Sequence, residues 1–322
     1  MHYLYLITGS KKMENTINKK SPLVYIIVIN YINYQDTIEC IESLKKLNYS
    51  NFQIIIIDNA SPNNSADVLK EKYKKNHIIL QCKKNLKYSG GNNYAVDYIF
   101  KKLKKPDYIL ILNNDTKIID KQMLTILVKY AEAIKDLGVI SPKIIKPNGK
   151  EDGPYTKPTI FNCIFNEVFF PFAWFTRLMS KFFRRLFKLD YLNHGESVYP
   201  VYRVSGSCML VKFTPFMKVG KFDYNGNLYG EETILAEKFK SIGYKNYYCS
   251  YTQILHSHSQ SISLIYTEKE KYYRMLKSNL YFFSKYRGYN KFNLTLVKLS
   301  SIIFVNIYLP IICLLKGIRY NK

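Results

Sequence analysis

Apolar residues along this chain fall in short unbroken runs, separated by stretches whose apolar positions recur at helical spacing. Residues 23–30 (LVYIIVIN) are continuous and rich in β-branched side chains, the pattern of a strand buried on both faces of a parallel sheet. Ile38, Ile41, Leu44 and Leu47 then repeat on one helical face behind the cap residue Asp36. Residues 52–57 (FQIIII) and 78–81 give the next two strands, with a helix predicted over 65–75 between them. A helix over 95–103, closed by Pro106, leads to a fourth strand over 108–112 (YILIL). Strands alternating with helices of this length predict an α/β domain whose mostly parallel sheet carries helices on both faces.

Each run stops at polar residues. The fourth ends in Asn113, Asn114, Asp115 and Thr116, the first in Asn30, and the second in Asp58 within Asp58-Asn59-Ala60-Ser61-Pro62. Open α/β sheets bind ligands outside the carboxyl ends of their strands, and right-handed crossovers bring these tips to one edge. A carboxylate flanked by amides there suits a divalent cation on a diphosphate, which takes few ligands from protein. The same residues also suit a helix cap near Asp120 and ordinary turn chemistry at Asp58, so from these stretches alone both readings stand. Gly90-Gly91-Asn92-Asn93 reads as a loop before a helix: either a flexible turn or backbone N–H groups approaching an anion. It matches neither the dinucleotide nor the P-loop glycine pattern.

The second half is less regular. Residues 138–146 and 201–213 have strand patterns, the latter containing Ser205-Gly206-Ser207. Residues 160–192 interleave phenylalanines with arginines and lysines, as suits the plane of an anionic membrane or a subdomain covering a sheet edge. Glu231 and Glu232 open a helix over 233–242, where acids complement the macrodipole. His256 and His258 alternate in a strand or loop. A helix is predicted over 266–286. The tail, 294–318, is apolar but interrupted by Lys298, Asn306 and Pro310. It falls short of the roughly 20 apolar residues of a span, which favours an interfacial or re-entrant anchor over a short span or a docked amphipathic helix. These shifts divide the chain into an extension (1–20), two halves (21–150 and 151–265) and a helical, membrane-associated tail (266–322).

At 322 residues and 47% hydrophobic composition the chain fills a sizeable core. The formal net charge of +24 is spread as lysine pairs along the whole length. Spread of this kind favours a membrane-facing or generally basic surface over a nucleic-acid groove, and no nucleic-acid partner is expected. The six cysteines are isolated, with no disulfide framework or zinc spacing, which points to a reducing compartment. The N-terminal stretch lacks the pattern of an export signal, placing the chain at the cytoplasmic face of the membrane.

Taken in order, these segments resemble a known family. LVYIIVINY, IIIIDNAS, Lys84-Asn85 with Tyr88-Ser-Gly-Gly-Asn-Asn, and LILNNDT are followed by Val204-Ser-Gly-Ser-Cys-Met-Leu, Val219-Gly-Lys-Phe-Asp, Leu228-Tyr-Gly-Glu-Glu, Gly243-Tyr and Ile254-Leu-His256. The set resembles glycosyltransferase family 2, in its rhamnosyltransferase-like branch, over most of the chain. The resemblance implies a GT-A fold and an inverting transfer from a nucleoside-diphosphate sugar to a glycan or lipid-linked acceptor, in cell-surface polysaccharide synthesis. It implies donor contacts from Asn30, Asp58 (near base and ribose), Asn85, Gly90, Gly91, Asn92, Asn113, Asn114 and Gly206. Asp115 and His256 would hold Mg²⁺ or Mn²⁺, and Glu232 would be the general base, with Glu231 the alternative. Four positions depart from the pattern: Asn113 replaces one carboxylate of the metal motif, Glu232 stands where the family usually carries Asp, Ser278 where it carries an arginine, and Ile234 where it often carries an acid. A sugar nucleotidyltransferase would want a Gly-rich basic loop after the first strand, which residues 30–33 do not offer. The remaining alternative is a non-catalytic basic module binding membrane or RNA.

Overall fold

The computed structural model describes residues 21–168, 197–225, 230–257 and 266–315, together with Gly317 and Tyr320. Most of the basic aromatic segment after Val168, His258 and the Leu228-Tyr229 pair lie outside the described residues.

Strand β1 (Val24–Asn30) sits between β2 (Phe52–Asp58) and β4 (Tyr108–Asn113), both parallel to it, and β3 (Ile78–Gln81) adds to the outer side of β2. Side chains alternate between the two faces along each strand. Val24, Ile26, Val28, Ile54, Ile56, Leu110 and Leu112 therefore enter one core, while Tyr25, Ile27, Ile55, Ile57, Ile109 and Ile111 enter the other. Helices α1 (Tyr34–Leu44), α2 (Ser65–Tyr73) and, further on, α4 (Met123–Ala133) cover the first face; α3 (Lys87–Lys102) covers the second.

Beyond β4 the sheet is mixed rather than mostly parallel. β8 (Cys208–Lys212) runs antiparallel to β4 and to β6 (Leu137–Ile145). β9 (Lys245–His256) is parallel to β6 but antiparallel to β5 (Thr116–Ile118) and β7 (Val198–Val201). An antiparallel strand presents its beginning at the edge where parallel strands present their ends, and this places the second half of the site.

The expected loop at Gly90–Gly91 is helical: α3 begins at Lys87 and contains Gly90 through Asn93. The glycines answer to packing there. A Cβ on Gly91 would lie 3.0 Å from Ile29 Cδ1, and one on Gly90 2.8 Å from Leu86 Cβ. The bare backbone lets the helix start close against the strand tips, at the usual helix cost of glycine.

Helices α5 (Ile160–Val168), α6 (Phe213–Lys218), α7 (Glu231–Lys240) and α8 (Glu268–Arg287) follow. A third apolar cluster, Ile234 with Phe282 and Phe283, joins α7 to α8. The tail is one helical run, Lys291–Leu315, built of α9 (Lys291–Ile303), a π-turn at Phe304–Tyr308 and α10 (Leu309–Leu315). Pro310 does not end it, because it falls in the first turn after the π segment. The run is long and apolar enough to cross a membrane by length and composition. Val297, Ser300, Ser301, Val305 and Leu309 are buried against the body, whereas Phe292, Leu299, Ile307, Ile311 and Leu314 are exposed. Glu167 of α5 fastens the buried side, accepting hydrogen bonds from Ser300 (2.5 Å), Ser301 (2.9 Å) and Tyr272.

Candidate active site

Register alone aligns the tips of the parallel strands: Asn30 pairs with Asp58 across β1 and β2, and Ile29 with Asn113 across β1 and β4. At the β1/β2 tip, Asn30 Nδ2 donates to Asp58 Oδ1 at 2.9 Å, and Asn30 Oδ1 accepts from Thr37 at 2.8 Å. The Asp58 carboxylate is wholly buried; it also accepts from Ser61 Oγ (2.6 Å) and from the Ser61 backbone N–H (3.0 Å). Asp58 thus holds the shape of the 58–61 turn. Asn59 extends the network, donating to Asn85 Oδ1 and to the Lys87 carbonyl and accepting from the Leu86 N–H at 2.9 Å. Asn114 donates to Thr37 Oγ1 and the Asn33 carbonyl. Asn92 is buried in α3, donating to the Tyr88 carbonyl, and its Oδ1 finds no partner among the described residues. Ile32, Ala60 and Lys87 all hold positive φ (69°, 60° and 60°) around this edge. Side chains other than glycine rarely adopt that conformation, and its concentration at one edge is characteristic of a binding site.

The second half of the site arrives by antiparallel pairing. Leu112 pairs with Cys208, so the segment just before β8 reaches the tip of β4, and the Asn113 N–H donates to the Ser207 carbonyl at 2.9 Å. Thr116 pairs with His256 across β5 and β9, and the Ser257 N–H donates to the Asp115 carbonyl. That register sets His256 Nε2 3.2 Å from Asp115 Oδ1. On its other side His256 Nδ1 lies 3.6 Å from Asp152 Oδ2. Burial opposes the His256 charge, but the two carboxylates prevail and raise it to about 9.

Asp152 is the hub that the sequence reading missed. It accepts from Ser205 Oγ (2.6 Å) and Tyr155 OH (2.7 Å), and its Oδ1 pairs with Lys146 Nζ at 2.6 Å. Burial disfavours the anion, yet His256, Lys146, Ser205 and Tyr155 together hold its carboxyl well below the usual range. In sequence it is one acid in a Lys-Glu-Asp-Gly turn, with no periodic or motif signal to set it apart.

Asn113, Gly206, Glu231, Glu232 and His256 line one cavity of about 480 Å³, together with Asp152 and Arg203. Asp115 adjoins it through His256. Asn30, Asp58, Asn85, Gly90, Gly91, Asn92 and Asn114 lie outside its lining. Glu231 is buried at the start of α7, while Glu232 faces the cavity with Arg203 Nη1 4.0 Å away. Gly206 is what admits Glu232: a Cβ there would fall 2.0 Å from Glu232 Oε1. Tyr88 OH donates to the Gly206 carbonyl at 2.6 Å. Burial, then the charges of Glu232 and Glu231, hold that phenol protonated far up the scale. Asn279 of α8 also reaches the cavity, but Ser278 beside it is buried with its hydroxyl packed near Gly230.

The arrangement offers a carboxylate on one wall and an Asp–His pair on another. The sequence profile of glycosyl transferase family 2 matches residues 25–218. The chain belongs to that family. No curated protein matches this transferase in sequence. Among solved structures, the mannosyltransferase PcManGT from Pyrobaculum calidifontis, in complex with GDP-Man and Mn²⁺, matches with a TM-score of 0.55 at 13% identity, over 92% of this chain and 79% of that one. TarS 1-349 from S. aureus in complex with UDP-GlcNAc gives 0.53 at 14% identity, over 81% and 66%. GalNAc-T7 with UDP, GalNAc and Mn²⁺ gives 0.56 at 10% identity, over 88% and 54%. These likenesses establish the GT-A fold, and with the family they make the chain a glycosyltransferase.

Among the described residues no three His, Cys, Asp or Glu side chains are arranged to hold a metal by themselves. Asp115 and His256 nevertheless fit a cation completed by phosphate oxygens, provided that the cation displaces the proton His256 shares with Asp115; Mg²⁺ or Mn²⁺ takes few protein ligands beside a phosphate.

Proposed function

We propose that this glycosyltransferase works by inversion with a divalent cation, moving a sugar from a nucleoside diphosphate to a glycan acceptor, lipid-linked at the cytoplasmic face of the membrane, in cell-surface polysaccharide synthesis. The reading places it in the rhamnosyltransferase-like branch. What carries it is the cavity that has Glu232 on one wall and His256, paired with Asp115, on another. Glu232 takes the proton of the acceptor hydroxyl. The oxygen bonds to the anomeric carbon as the bond to the diphosphate oxygen breaks, and the nucleoside diphosphate departs. A cation held by Asp115 and His256 would supply charge neutralisation for that diphosphate. Asn113, Asn114 and Gly206 border the sugar and phosphates. The Asn30–Asp58 pair, with Asn59 and Asn85, shapes the turn against which the base and ribose lie, and Gly90, Gly91 and Asn92 let α3 close on it. Glu231, buried, supports the helix start instead of acting as base.

The apolar outer side of Lys291–Leu315 and the net charge of +24 support attachment to an anionic membrane. A thermal-shift panel of UDP-, GDP- and dTDP-sugars with Mn²⁺ tests the donor site. The reading expects one donor to stabilise the protein only with metal, with that effect lost in Asp115→Ala. A donor shift unchanged without metal, or unchanged in Asp115→Ala, overturns the metal assignment. Co-sedimentation with phosphatidylglycerol vesicles but not with phosphatidylcholine tests the membrane assignment.

A further inference from the structure

A second cavity, about 250 Å³, adjoins the active-site cavity and shares Tyr155 with it. The two are neighbours on two other elements as well. Arg203 lines the first and Tyr202 the second; Glu232 and Thr233 of α7 line the first, and Ala236 the second. Four residues along a helix advance about 6 Å, the scale of one sugar unit. Along α7 the two linings are therefore offset by about one sugar unit.

The lining suits that occupant. Tyr155, Tyr202 and Tyr244 contribute aromatic rings, which bind the apolar C–H faces of a pyranose. Tyr155 and Tyr202 have their hydroxyls fixed on Asp152 and Glu237, so both rings are held in place before any ligand arrives. The cavity also carries spare polar capacity. Lys240 is exposed and forms no ion pair with the described residues. It supplies a charged donor for ring hydroxyls.

We infer that this cavity is a subsite for the acceptor glycan, binding the sugar one linkage removed from the unit that is glycosylated. The inference rests on the reading of Glu232 as the acceptor base, so its test is made on binding and not on turnover. Fluorescently labelled full-length protein is applied to an array of mono-, di- and trisaccharides, as wild type and as Tyr244→Ala, Lys240→Glu and Lys101→Glu. The last makes the same charge change on α3, outside the cavity. Wild type is expected to retain particular di- or trisaccharides over their monosaccharides, with at least a tenfold loss of apparent affinity in Tyr244→Ala and Lys240→Glu and none in Lys101→Glu. Absence of any oligosaccharide preference overturns the subsite, as does equal binding by wild type and the two cavity variants. An equal loss in Lys101→Glu also overturns it, by making the binding a matter of general basicity. Failure of the underlying reading is seen separately, as donor hydrolysis and transfer that persist in Glu232→Gln.

Discussion

The two halves of the site are built on opposite principles. The β1–β2–β4 edge is an amide network: Asn30, Asn59, Asn85 and Asn114 bond one another, nearby hydroxyls and backbone groups, with Asp58 the single buried carboxylate among them. The second half is charged, and Asp115, His256, Asp152, Arg203 and Glu232 come from five separate segments between β4 and β9. The first holds a shape through neutral bonds. The second holds charges that burial would otherwise expel, and keeps them by mutual pairing. Shape is therefore the expected property of the first half, and charge chemistry that of the second.

The sharpest test is chemical. Glu232→Gln keeps the size of the side chain and removes the base, so transfer should fall by about two to four powers of ten while melting temperature stays near wild type; kinetics with the donor found in the thermal-shift panel measure it. Gly206→Ala should imitate this loss without touching an acid, because its methyl group takes the place of the Glu232 carboxylate. Retained activity there would separate Glu232 from the chemistry.

Next comes the charged hub. Asp152→Asn leaves Lys146 without its anion and His256 with Asp115 alone, and should cost roughly 3 kcal/mol in urea unfolding, as expected when one partner of a buried pair is removed. The sign of the pH effect follows from the depressed carboxyl. Its stabilisation is complete above the unfolded value of about 3.9 and is lost as pH falls through the lower folded one. Wild type should lose stability on that acid limb, and Asp152→Asn should lose less.

On the amide side the effects are smaller. Asn59→Ala removes three hydrogen bonds from the tip and should cost about 1–3 kcal/mol, weakening donor binding more than it alters the pH profile. Ala60→Gly relieves the positive φ at that turn and should shift stability by under about 1 kcal/mol, because strain relief and the added freedom of the unfolded chain offset each other. An Asn59→Ala effect larger than that of Asp152→Asn would reverse the contrast between the two halves.

The difference also explains what could be read in advance. Continuous apolar runs at 23–30, 52–57 and 108–112 determine parallel central strands, and the polar residue ending each run determines what stands at the edge, because chain direction and side-chain alternation are local properties. Asn30, Asp58 and Asn113 were legible for that reason. Gly90 and Gly91 were legible as residues but not as conformation: their role is to let a helix approach Ile29, a contact outside any local window. Asp152, Arg203 and the pairing of His256 with Asp115 depended on β8 and β9 entering the sheet antiparallel to β4 and β5. Strand direction in a mixed sheet is decided by packing between segments about a hundred residues or more apart, which no local pattern encodes. The sequence alone set the strands and their polar ends; only the tertiary structure decided which charges would face one another.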